Sequence, residues 1–199
     1  MRALRRLLLR LVLWTGLAAV GWVGAYAVID PPTTLLIETE RRRLGGVARA
    51  WRDLDAISPH LARAVVAAED ARFCDHWGLD PEAIRDALAE RERGRIRGAS
   101  TITQQVAKNA FLWPAPTWTR KALEAGFAVL IEALWSKRRI LEVYLNVAET
   151  GEGVFGAEAA ARHWFGESAD ALTLAEASRI AAILPAPRAR SAAAPGPFT

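Results

Sequence analysis

The 199-residue chain is poor in the residues that most often build metal centres and covalent crosslinks. Cys74 is its single cysteine, which excludes an intrachain disulfide and any multi-cysteine metal site, and leaves the redox compartment open. Lysine is scarce as well: Lys108, Lys121 and Lys137 are the only three, so the formal charge of +4 rests on arginine. That balance is equally consistent with a codon bias and with attraction to an anionic partner. Internal repeats are absent, and low-complexity sequence is confined to an Ala/Pro stretch at the C-terminal end. With 52% apolar residues, the chain can build one compact core but not two full-sized enzyme domains.

What is present begins with a membrane signal. Leu11 to Ile29 is an uncharged apolar run close to the ~20 residues a helix needs to cross a bilayer. Arg2, Arg5, Arg6 and Arg10 precede it, which predicts a cytoplasmic N-terminus (1–10), a transmembrane helix (11–29) and everything after Asp30 outside the cytoplasm. Ala25-Tyr26-Ala27 also resembles a small-x-small cleavage site, but a signal-peptide core spans only ~7–15 apolar residues, and a retained anchor is the expectation.

Asp30-Pro31-Pro32 breaks the anchor helix, and no sustained helical period follows, so 30–48 reads as a linker with room for a short strand. Helix-start signals then come in series: Ser58-Pro59, Asp80-Pro81, Thr101 with Gln104, Ser136 before Lys137, and Thr173 with Glu176. They predict a single mainly α domain over 49–187, followed by a tail over 188–199.

Four segments of this domain could carry chemistry. Glu69 to Gly78 continues the helix opened at Ser58-Pro59, and helical spacing would put Glu69, Phe73 and His76 on one face beside Leu61, Val65 and Val66. A carboxylate against apolar surface tends toward a raised pKa, as a general base for a sugar hydroxyl requires; a solvated turn decorated by Glu69 and Asp70 is the plainer alternative. In Gly98 to Asn109, a glycine leads into a hydroxyl-rich helix start whose free N–H groups could cradle phosphate or sugar oxygens, with Lys108 two turns on. An ordinary N-cap explains Ser100 and Thr101, but explains less well the paired amides of Gln104 and Gln105. Arg120 and Glu124 lie one turn apart, which by itself suggests only a helix-surface ion pair. Lys137 to Asn146 reads as an amphipathic supporting helix with a basic start.

Together, in this order, the segments resemble the motif set of the peptidoglycan glycosyltransferases, glycosyltransferase family 51, and in particular its monofunctional members. Glu-Asp-x-x-Phe-x-x-His-x-Gly is met at Glu69, Asp70, Phe73, His76 and Gly78, and Gly-x-Ser-Thr-Ile-Thr-Gln-Gln is complete from Gly98 to Gln105. Arg-Lys-x-x-Glu at Arg120 to Glu124 and Lys-x-x-Ile-Leu-Glu-x-Tyr-Leu-Asn at Lys137 to Asn146 complete the set. All three lysines fall inside these motifs, which suits sites that want a compact ammonium. One departure stands out: Pro116 occupies a position where many family members carry an arginine thought to help hold the substrate pyrophosphate.

The resemblance implies a lysozyme-like, two-lobed, mainly helical domain lying against the bacterial inner membrane on its periplasmic side. It implies that lipid II is polymerised into β-1,4-linked glycan strands with release of undecaprenyl diphosphate. Glu69 and Glu124 become the catalytic candidates. Asp70, Phe73, His76, Gly98, Ser100, Thr101, Gln104, Gln105, Lys108, Asn109, Arg120, Lys121 and Lys137 become candidate substrate-binding residues. No resident metal or cofactor is implied, although a divalent ion (Mg or Mn) could assist near Glu124. The implied partners are lipid II, the growing glycan strand, the inner membrane and other cell-wall synthesis proteins, with no nucleic acid. A glycan-cleaving enzyme on a similar fold would have little use for a cationic pyrophosphate site, and an inactive scaffold no reason to keep both glutamates. No Ser-x-x-Lys occurs in the sequence, so no transpeptidase centre of that type is expected.

Overall fold

The computed structural model describes residues 1–94, 98–194 and 196; the end of the tail expected over 188–199 therefore lies partly outside the described residues. Helix α1 (Arg2–Tyr26) is followed by α2 (Leu35–Leu44), strand β1 (Ala48–Arg49), a single 3₁₀ turn, α3 (Pro59–Glu69) and α4 (Pro81–Glu92). Next come α5 (Ile102–Val106), a π-helical turn (Ala107–Phe111), α6 (Trp118–Leu134) and α7 (Lys137–Val147). Strands β2 (Glu149–Gly151) and β3 (Val154–Phe155), then α8 (Ala157–Phe165) and α9 (Leu174–Ile183), complete the order.

All five predicted helix starts are present. Asp80 accepts from the N–H groups of Glu82 and Ala83, each at 3.0 Å, and Ser136 accepts from Arg139 N at 3.2 Å. Thr101 with Gln104 and Thr173 with Glu176 form reciprocal capping boxes. Ser58 differs: its hydroxyl donates 2.8 Å across the fold to Leu172 O, and Pro59 at the first helical position starts α3 without a side-chain cap.

The anchor helix begins earlier and ends sooner than the apolar run suggests, since Arg2 to Arg10 are helical and the helix closes at Tyr26. It is long and apolar enough to cross a membrane, and most of its length is exposed. Its last turn is different: Val23 is buried in the domain core, and Trp135 Nε1 donates to Val23 O at 2.8 Å.

The stretch expected as a linker contains α2, a correction to the sequence reading. Only Ile37 and Glu40 of α2 are buried, too short an apolar stripe to stand out in sequence. Thr34 caps it, and Glu40 pairs with Arg43 on the same helix and with Arg188 from the far end of the chain. Burial raises the Glu40 carboxyl while those guanidiniums lower it, and the net position is below the ordinary value.

The core forms where α3 packs on α9 and where α5 meets α6 and α7. Leu61 and Val65 of α3 join Ala177, Ile180 and Ile183 of α9 in one buried cluster, each large side chain contributing ~1.5–3 kcal/mol by leaving water. A small sheet of order β1-β3-β2 closes one side, with β1 parallel and β2 antiparallel to β3. Gly156, at φ +83°, lets the chain pass the Asn146 backbone, where an added Cβ would sit 3.1 Å from it.

Candidate active site

Helix α3 stops at Glu69 because Asp70 leaves the helical region, at φ −161°. The Asp70 side chain is drawn inward: His76 Nε2 lies 2.9 and 3.0 Å from its two oxygens, and Ile102 N donates to Oδ2 at 2.9 Å. Phe73 and His76 consequently lie on turns after the helix, not on its face as the spacing suggested. Phe73 is buried in the core with Lys137 Nζ 4.5 Å above its ring. Gly78 then passes α6 at φ +75°, where a Cβ would come within 2.9 Å of Ala128 O, and its carbonyl accepts the Thr101 hydroxyl at 2.6 Å.

This interlock takes up several of the N–H groups expected to cradle phosphate or sugar oxygens. Ile102 N is taken by Asp70, Gln104 N by the Thr101 hydroxyl at 3.1 Å, and Gln105 N by Thr101 O at 3.0 Å. Thr101 N in turn donates to Gln104 Oε1 at 3.0 Å. The start of α5 is spent on holding the first two motifs together, and Thr101 and Gln104 are buried parts of that framework. Gln105 points the other way: its Nε2 donates to Glu69 Oε2 at 2.6 Å, and its Oε1 accepts from the Tyr144 hydroxyl at 3.2 Å.

Cations gather around Glu124. The π-helical turn continues α5, adding a residue to the helical register; Lys108 lies on it half-buried and Asn109 buried. Thr117 caps α6, accepting from Arg120 N at 3.2 Å, which places Arg120 and Lys121 in the first turn. Both reach Glu124, which is only 3% exposed: Arg120 Nη1 at 3.0 Å on Oε2, and Lys121 Nζ in close contact with Oε1. Lys121 Nζ also donates to Ser100 Oγ at 3.1 Å, drawing the exposed loop that carries Gly98 toward α6. Arg120 Nε donates to Ala115 O at 2.6 Å, so the stiff segment around Pro116 grips Arg120 through its backbone.

The Lys108 carbonyl accepts from Leu112 N at 3.3 Å, but its ammonium makes no hydrogen bond or ion pair among the described residues. Its pKa is lowered, first by burial and then by the positive charges of Arg120 and Lys121, against the opposing pull of Glu124 and Glu69. Three cations and two carboxylates thus share one electrostatic neighbourhood.

Lys137 belongs elsewhere. It donates to His76 O at 2.7 Å and pairs with Glu132 at 2.8 Å, and Thr103 donates to the same Glu132 oxygen at 2.6 Å. Glu132 escaped the sequence reading, although a lone carboxylate inside the apolar run Ala128 to Trp135 is the kind of signal that singled out Glu69. Tyr144 lay within a quoted motif, but nothing in its spacing pointed to Gln105.

A divalent ion at Glu124 would meet two oxygens already held by cations, so these residues do not fit a metal there. Asp70, His76 and Asp80 offer ligand atoms within 4.8 Å of one another. Asp70 is nevertheless committed to His76 and Ile102, and Asp80 to Arg72 and the start of α4.

The arrangement pairs a partly exposed carboxylate, steadied by an amide, with a cluster of cations in which the Lys108 ammonium has no partner among the described residues, as a group transfer with an anionic leaving group requires. The chain belongs to the transglycosylase family, whose model matches residues 38–196. It is 56% identical over 194 residues to a biosynthetic peptidoglycan transglycosylase of Jannaschia sp. (strain CCS1), an alignment covering 98% of this chain and 80% of the relative. Proteins of the same description from Caulobacter vibrioides and Pseudomonas aeruginosa are 50% and 48% identical, covering 99% and 100% of this chain and 86% and 88% of theirs.

Proposed function

We propose that the protein is a membrane-anchored peptidoglycan glycosyltransferase of cell-wall synthesis, polymerising lipid II into β-1,4-linked strands with release of undecaprenyl diphosphate. The observation that carries this reading is the Arg120–Lys121–Glu124 cluster, with Lys108 within electrostatic reach of both Glu124 and Glu69. Family membership and relatives described as biosynthetic peptidoglycan transglycosylases support it.

The donor sugar is α-linked to a lipid pyrophosphate, and a β product requires the acceptor's 4-hydroxyl to attack C1 from the opposite face. As the new C–O bond forms, Glu69 takes the hydroxyl proton, and the C1–oxygen bond breaks with its electron pair leaving on the pyrophosphate. Gln105 holds one oxygen of Glu69, and the other has no hydrogen-bond partner among the described residues and is free to receive that proton. Lys108, the unpaired ammonium, is the group best able to follow charge onto the departing phosphate. Glu124 holds Arg120 and Lys121 in place so that they face the same charge without swinging apart. Charge neutralisation by side-chain cations needs no metal in this reading.

The same reading places α1 in the inner membrane with the domain on the periplasmic face. The basic N-terminus supports that orientation. Retention of the helix is supported by the burial of Val23, which cleavage after Ala27 would strip from the core. A tethered enzyme meets a lipid-borne substrate at high effective concentration.

The test is incubation of detergent-solubilised protein with labelled lipid II, followed by separation of polymer from monomer. Wild type should form polymer, and Glu69→Gln should lose roughly 10²–10⁴-fold in rate while keeping its thermal transition. Near wild-type turnover in Glu69→Gln would remove the base assignment, and no polymer from wild type would remove the activity.

A further inference from the structure

The mechanism above leaves a buried polar contact behind Gln105 unused. Tyr144 lies on α7 with its side chain only 1% exposed, and its hydroxyl finds one partner among the described residues, Gln105 Oε1 at 3.2 Å. The opposite end of that amide donates to Glu69 Oε2 at 2.6 Å. Three motif segments, on α3, α5 and α7, are therefore joined in a single line from core to site.

A primary amide has one accepting and one donating end, and the neighbours decide which faces which. Turning Gln105 over would set its carbonyl oxygen against the Glu69 carboxylate. It would also leave the Tyr144 O–H facing a donor inside the core, where an unmet hydroxyl is costly. From the geometry we infer that Tyr144 is a positioning residue for the base Glu69, acting through Gln105: its hydroxyl holds the amide so that Nε2 faces the carboxylate. This rests on Glu69 being the base. Burial, reinforced by the nearby Glu69 charge, pushes the Tyr144 phenol well above its ordinary pKa, so it remains a donor throughout the working range. An N–H donated to a carboxylate favours the ionised, proton-accepting form. Tyr144 thereby helps set the direction in which Glu69 presents its other oxygen to the acceptor hydroxyl.

Tyr144→Phe keeps the ring in the core and removes only the hydroxyl. It should lower kcat for lipid II polymerisation by roughly three- to tenfold, leave KM nearly unchanged, and shift the acid limb of the kcat–pH profile to higher pH. Gln105→Leu should move the same limb in the same direction, and adding Tyr144→Phe to it should produce no further shift, because the two act in series. Thermal unfolding recorded on each variant separates positioning from packing. A kcat loss in Tyr144→Phe with an unshifted acid limb, or an unchanged kcat, overturns the inference. So does a further shift of the limb when Tyr144→Phe is added to Gln105→Leu. Glu69→Gln, run alongside, keeps the two readings apart: if it is inactive while Tyr144→Phe behaves as wild type, only the Tyr144 role fails, whereas an active Glu69→Gln removes the base itself.

Discussion

Lys108 shows how a single residue's surroundings tune its chemistry. Burial and the adjacent Arg120 and Lys121 charges lower its pKa, so the ammonium is lost at lower pH than an ordinary lysine would lose it. The protonated form is the one that can stabilise a departing pyrophosphate. Activity should therefore fall on the alkaline side as pH rises through this lowered value. Lys108→Arg, whose guanidinium stays charged, should move that limb to higher pH even if the planar fork fits less well and lowers the maximum rate. Rate–pH profiles of the two proteins check this, and coincident alkaline limbs would take Lys108 out of leaving-group stabilisation. Pro116 takes on a different meaning at this scale. No side-chain cation stands there, but the Ala115 carbonyl beside it fixes the Arg120 guanidinium.

At the scale of elements, the last turn of α1 behaves as part of the domain. Trp22 and Tyr26 pack on Phe111, with ring centroids 5.2 and 5.5 Å away, and Phe111 ends the π-helical turn that carries Lys108. Beyond the helix, Arg139 donates to Tyr26 O at 3.0 Å and Ile29 O at 2.9 Å and pairs with Asp30 at 2.8 Å. Arg49 holds Pro31 O and Pro32 O at 2.7 and 2.6 Å. Both guanidiniums lie near the Trp51 ring, Arg49 at 5.7 Å and Arg139 at 5.5 Å from its centroid. Removing residues 1–29 should thus cost about 2–4 kcal/mol from the lost Val23 burial and aromatic contacts. It should lower both the melting temperature and the rate in detergent micelles. Removing residues 1–18, which keeps this turn, should spare both in micelles and reduce activity only in membranes. Equal behaviour of the two truncations in micelles would show that the turn contributes nothing to the domain.

The molecule as a whole is tied together by buried carboxylates outside the site. Glu158, on α8 and 1% exposed, accepts from Arg52 at 3.0 Å, Arg162 at 2.7 Å and Ala169 N at 3.0 Å, joining the start of the domain to the approach to α9. The Arg52 hydrogen bond leads the other contacts in lowering its pKa from 4.5 to about 2, against the opposing effect of burial. A depressed carboxylate stabilises the fold above its unfolded pKa, and that stability is lost as pH falls through the folded value. Glu158→Gln should cost roughly 1.5–3 kcal/mol at neutral pH, a melting-temperature drop of roughly 4–10 °C. The difference from wild type should shrink below about pH 4.5 and vanish near pH 2. A gap between the two melting curves that does not vary with pH would mean that packing, not charge, is what Gln disturbs.

The chain's own sequence was enough for the elements that local contacts decide. Helix caps act over three or four residues, so Asp80, Thr101, Ser136 and Thr173 could be read directly, as could the long apolar N-terminal helix and the motif residues themselves. Helix α2 could not, because two buried positions leave little periodicity and Glu40 finds Arg188 only after folding. The same limit governs the site. Gln105 reaches Glu69 across 36 positions, Ile102 reaches Asp70 across 32, and Tyr144 reaches Gln105 across 39. Motif spacing says that these residues occur together, whereas which hydrogen bond each makes depends on how α3, α5 and α7 pack. That packing spends the start of α5 on Asp70 and Thr101, sends Lys137 to Glu132, and leaves the Lys108 ammonium without a partner among the described residues, within electrostatic reach of Glu69.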